Sequence, residues 1–68
     1  MLKIIGENVV KVGHQFDYEL ENGVLLHEQE WNGECYTVKE NGNEKRYFPI
    51  YSDEENENGG FDIISFED

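Results

Sequence analysis

Positive charge is the scarcest resource in this chain of 68 residues: five lysine and arginine side chains face sixteen aspartates and glutamates, a formal net charge of −11. A surface this negative repels nucleic acid and anionic membranes, and it speeds encounter with positively charged partners through a field that salt weakens. Cysteine is nearly absent as well. The single Cys35 excludes an internal disulfide and the stapled secreted mini-protein class, leaves pairing with a second chain open, and fits a reducing cytoplasm. Long apolar runs are missing: Met1 to Glu7 holds four apolar residues around Lys3, far short of a signal-peptide core or a membrane span. With no lipidation box, retention signal or internal repeat, the expected location is cytoplasmic.

What the chain does have is enough to fold. Apolar residues make up 37% of the sequence and aromatics 13%, richer than acidic disordered tails. A domain near this size buries only about 60% of its unfolded surface, so residues 1–68 are expected to form one domain of modest stability. Four Asn-Gly pairs, Asn22-Gly23, Asn32-Gly33, Asn41-Gly42 and Asn58-Gly59, mark reversals, because both residue types tolerate the positive φ of tight hairpin turns. Between Gln15 and Glu21 the pattern alternates strictly, placing Phe16, Tyr18 and Leu20 on one face and Asp17, Glu19 and Glu21 on the other. Val24 to Trp31, Glu34 to Glu40, Lys45 to Tyr51 and Phe61 to Phe66 read as further strands, with Leu2 to Ile5 and Asn8 to Val12 before them.

No window shows the i, i+3, i+4 spacing of a packed helix, so the expected fold class is all-β: an antiparallel meander of about six short strands curled into a half-open barrel. Pro49 cannot donate to a ladder and puts its strand at an edge or beside a bulge. Residues 52–60 have no apolar face and read as a solvated, mobile acidic loop, with at most one helical turn at Ser52 to Glu55.

The candidate chemistry is almost entirely carboxylate. Asp17, Glu19 and Glu21 recur every second residue, which on a strand spaces them about 6.6–6.8 Å apart, comparable to successive phosphates. Glu28 and Glu30 share that interval in the next expected strand, so the five acids are read as a rigid two-row negative face, with Asp53, Glu54, Glu55 and Glu57 as a flexible part. The alternative is that such residues merely occupy the water side of amphipathic strands. A calcium loop opening at Asp53 needs glycine at its sixth place and glutamate at its twelfth, where this chain has Asn58 and Ile64, so neither a metal site nor a cofactor is expected. Cys35, His14 and His27 show no spacing that argues for a thiolate-imidazole pair, and Glu34 beside Cys35 disfavours a thiolate; no enzyme is expected. Of Trp31, Tyr36, Tyr47, Phe48, Tyr51, Phe61 and Phe66, most are expected in the core, with Trp31 and Tyr51 as surface anchors rimmed by acids.

In size, charge and turn-rich β character the chain resembles the compact acidic inhibitors by which phages and mobile elements disable restriction or CRISPR nucleases; no residue motif carries that resemblance. It implies a DNA mimic that blocks the basic groove of a nuclease or other nucleic-acid-binding protein, as a monomer or weak dimer that contacts neither nucleic acid nor membrane directly. The alternative function is a generic acidic interaction module, such as an immunity or antitoxin protein or an accessory subunit.

Overall fold

The structure, a computed structural model, describes residues Met1–Asp68 and contains six strands: β1 (Leu2–Lys11), β2 (His14–Leu20), β3 (Leu25–Leu26), β4 (Tyr36–Glu40), β5 (Asn43–Glu55) and β6 (Phe61–Glu67). All pairings are antiparallel, and the sheet order is β3-β2-β1-β6-β5-β4. Because β6 returns to pair with β1 through Leu2↔Phe66 and Lys3↔Ser65, the meander wraps into a nearly closed barrel with one unsealed seam, between β3 and β4. The half-open barrel read from the turn spacing is therefore the observed architecture.

Asn41-Gly42 illustrates why the chain reverses where it does. Both residues have positive φ, 50° and 81°, and they join Glu40 directly to its ladder partner Asn43. That is a two-residue turn whose twist matches the flanking strands. The turn between β1 and β2 has the same geometry from the wrong residue: Val12 sits at φ 51° beside Gly13 at 76°, with Lys11 paired to His14. A branched Cβ crowds the backbone there, so the Val12 side chain signals a strand at the place where the chain turns. Leu2 to Ile5 and Asn8 to Val12 are correspondingly one strand, with a register shift between Ile4 and Gly6 that leaves Ile5 unpaired.

Two further expectations are corrected. Val24 to Trp31 is not one strand: only Leu25–Leu26 forms a ladder, Glu28–Glu30 makes a single 3-10 turn, and Trp31 makes an isolated bridge to Tyr36. His27 makes that turn possible, its Nδ1 accepting from the Gln29 amide while Glu30 Oε1 accepts from the His27 amide. Nor are residues 52–60 a loop, since β5 runs on to Glu55 and only the segment from Asn56 to Gly60 turns. Backbone pairing of Tyr51 and Glu55 with β6 brackets Ser52, Asp53 and Glu54, which have no apolar side chain of their own. Pro49 lies in β5 two residues beyond the last β4 pair, Tyr36↔Tyr47, where β5 has β6 on one side only, and a register shift follows between Ile50 and Tyr51. The missing donor sits where the ladder on that side has ended.

The core is small. Leu20, Leu26, Tyr36, Tyr47 and Phe66 come from five different strands, and Leu2 and Ile4 of β1 pack against them, so every strand contributes at least one side chain. Three of the seven rings expected to be mostly internal are buried, Tyr36, Tyr47 and Phe66; Trp31, Phe48, Tyr51 and Phe61 all reach the surface. Replacing Val12, which is 96% exposed, by Asn relieves left-handed strain and removes no contact. Val12→Asn is expected to raise stability by about 1 kcal/mol, read as a higher denaturant midpoint at unchanged m-value; an unchanged or lower midpoint contradicts a strained turn.

Candidate acidic interaction surface

Sixteen acids on so small a barrel meet little compensation. Two ion pairs form, Lys11 Nζ to Glu19 at 2.6 Å and Lys45 Nζ to Asp68 at 3.1 Å, so fourteen acids have no cation in contact. The exposed Lys45–Asp68 contact pulls the Asp68 carboxyl below its ordinary value and pushes Lys45 upward, chiefly through their hydrogen bond.

The stripe on β2 is where the structure departs furthest from the expected surface. Asp17 is half-buried, and its Oδ2 accepts from the Tyr36 hydroxyl at 2.8 Å. Glu19 is largely covered and paired to Lys11. Glu21 Oε2 accepts from the Lys3 backbone amide at 2.7 Å, tying β2's end to β1. All three are engaged within the barrel. Glu28 and Glu30 do not form a second row beside them, because they stand on the 3-10 turn; Glu28 is exposed, and Glu30 is occupied in capping. The rigid two-row face is therefore not assembled.

Uncompensated charge lies instead on the β5–β6 hairpin. Asp53, Glu54, Glu55 and Glu57 are exposed and make no side-chain hydrogen bond or ion pair. Their backbone is fixed by Asn56, whose Oδ1 accepts from the amides of Asn58 and Gly60 and whose Nδ2 donates to Asp62 Oδ1 at 3.0 Å. A side chain that bonds its own turn in this way holds the chain reversal without help from a core. Beside the hairpin, the half-buried Tyr18 phenol is pushed up first by burial and then by Glu7, Asp17, Tyr51 and Asp62, which reach it from β1, β2, β5 and β6. Sequence reading missed Glu7 and Asp62 as members of this negative neighbourhood. The register shift beyond Ile4 puts Glu7 opposite Tyr18, a consequence of the bulge that no periodicity announces.

The surface anchors divide in role. Trp31 is 37% exposed, but its ring lies 5.0 Å from Tyr36 and its backbone bridges to Tyr36, so it packs at the unsealed seam. Tyr51 and Phe61 are 49% and 50% exposed and line a shallow depression with Ser52 and Asp53. Elsewhere, Cys35 is buried with its Sγ accepting from Asn32 Nδ2, while His27 Nδ1 is taken by the Gln29 amide. No three His, Cys, Asp or Glu side chains gather closely enough to hold a metal ion. No helix is long and apolar enough to cross a membrane.

Compared with known proteins, the chain matches no family model, no curated protein and no solved structure, so its surface has to be read from its own residues.

Burial, and next the Asp17 hydrogen bond, push the Tyr36 phenol well above its ordinary value of 10.0. An acid whose folded pKa is raised favours folding while it stays neutral. Its stabilisation is complete below pH 10 and drains away as the solution rises past that value, where the unfolded chain ionises first. Tyr36→Phe is therefore expected to lose about 1–2 kcal/mol at neutral pH and to flatten the decline above pH 10, both read from denaturant melts across pH. An alkaline decline that keeps its full steepness in the variant contradicts this assignment.

Proposed function

We propose that this chain is a small acidic binding protein that occupies a lysine- and arginine-lined surface on a protein partner and blocks it. A nuclease or other nucleic-acid-binding protein presents the surface of matching charge, because such proteins concentrate cations in one groove to hold phosphates. The observation that carries this reading is the hairpin bearing Asp53, Glu54, Glu55 and Glu57, four exposed acids without partners on a backbone pinned by Asn56. Ordinary surfaces intersperse both signs, and self-repulsion between like charges is a standing cost to the folded state. Carboxylates on this hairpin stand in for phosphates at the partner's cations, the field steers the encounter, and the exposed Tyr51 and Phe61 rings add short-range fit. The engaged acids Asp17, Glu19 and Glu21 contribute to the long-range field more than to direct pairing.

The test pairs two variants in binding assays against purified nucleases and other basic nucleic-acid-binding proteins, with duplex DNA as competitor. Neutralising Asp53, Glu54, Glu55 and Glu57 to their amides is expected to weaken binding roughly 10- to 100-fold, as four exposed charge contacts of about 0.2–1 kcal/mol each would. Neutralising Asp17, Glu19 and Glu21 should instead lower stability more than affinity. Binding that ignores ionic strength and is not displaced by DNA would sink the proposal.

A further inference from the structure

The β5–β6 ladder pairs Tyr51 with Ile63 and Glu55 with Phe61, so Ser52, Asp53 and Glu54 on β5 stand against Asp62 alone on β6. The surplus bows β5 away from its partner, and the bow is held locally: Ser52 Oγ accepts from the Glu54 amide at 3.1 Å. The two half-exposed rings bracket the bow, and between them lies the depression lined by Tyr51, Ser52, Asp53 and Phe61. Since β4 stops pairing at Tyr47, no strand covers this side of β5. A partner strand is poorly received there, because Pro49 lacks a donor and the bow breaks the ladder. An occupant must therefore engage through a side chain.

We propose that this depression receives the side chain of an arginine on a basic protein partner, its stem on the Tyr51 and Phe61 rings and its guanidinium at Asp53. The assignment rests on the reading of the acidic hairpin given above and names the group that the hairpin grips. Charge complementarity selects a cation: Asp53 has no partner of its own, Glu54, Glu55 and Asp62 stand on the same hairpin, and neither of the barrel's two ion pairs, Lys11–Glu19 and Lys45–Asp68, includes an acid of the bow. The rings select among cations. A guanidinium is planar and weakly hydrated, stacks on aromatic faces and forks onto a carboxylate, whereas an ammonium is a compact, strongly hydrated point charge that gains less from a ring beside open water.

The experiment follows NMR shifts of the isotope-labelled protein during titration with the blocked tripeptide acetyl-Gly-Arg-Gly-amide, and with its lysine and citrulline counterparts. The expected result is saturable change at the Tyr51 and Phe61 ring signals and the 52–54 amides with the arginine peptide, several-fold weaker binding of the lysine peptide, and none of the citrulline peptide. Asp53→Asn, an exposed change that leaves the core untouched, should weaken the arginine peptide about tenfold. Tyr51→Leu should do the same, while Glu44→Gln, an exposed change at the opposite end of β5, changes it little. Equal response to lysine and arginine, or shifts spread evenly over all exposed acids, overturns the arginine site while leaving the wider binding proposal intact. Seating of the arginine peptide at these rings by a protein that ignores every basic protein surface would uphold the site and overturn the wider proposal.

Discussion

Tyr36 is the side chain on which closure of this barrel depends. Its ring packs against Tyr18, Trp31 and Phe66 at centroid distances of 6.2, 5.0 and 5.7 Å, which joins β2, the segment after the 3-10 turn, and β6 to β4 at the seam. A buried phenol needs a hydrogen-bond acceptor, and the one supplied is Asp17, on the far side of that seam. With only six apolar residues buried, the domain has no second cluster to take over if this one opens. Packing and a single charge-assisted hydrogen bond therefore do at the β3–β4 gap what ladder hydrogen bonds do elsewhere.

That constraint sorts the acids into two populations. Asp17, Glu19, Glu21 and Glu30 are used by the fold, accepting from a phenol, an ammonium and two backbone amides. Asp53, Glu54, Glu55 and Glu57 are not used by it at all. Mutual repulsion among the second group is tolerable because their hairpin lies away from the five-residue core and is secured by Asn56 through backbone amides that do not depend on charge. A stable scaffold and a repulsive surface are thus kept on separate parts of the same sheet, and the functional proposal concerns only the second part.

How far this was legible in the sequence depends on whether the signal was local. Asn41-Gly42 announces a turn through its own conformational freedom, and Phe16-Asp17-Tyr18-Glu19-Leu20 announces a strand through its own alternation. Pro49 likewise pointed to the place where one ladder ends and a bulge begins. Alternation did not reveal what the polar side of β2 would meet, because the Tyr36 hydroxyl arrives from 19 residues along the chain and the Lys11 ammonium from across the turn that Val12 conceals. Val12 hides a turn that its side chain opposes, and His27 caps a helical turn without the serine or threonine by which such caps are recognised. The segment Ser52 to Glu55 looked unstructured because its side chains bury nothing, although its backbone belongs to a strand. The depression between Tyr51 and Phe61 exists only through a mismatch in the β5–β6 register.

If Tyr36 holds the two halves of the barrel together, the β2–β3 ladder and the β4–β5 ladder must open in one event. Native-state hydrogen exchange across low denaturant concentrations measures this directly. The account predicts that the amides pairing Tyr18 with Leu26 and Thr37 with Arg46 converge on one opening free energy, equal to that of global unfolding. Two separate free energies, with the β1–β3 half opening while β4–β6 stays protected, would show that the seam is not held by this tyrosine and would contradict the central claim.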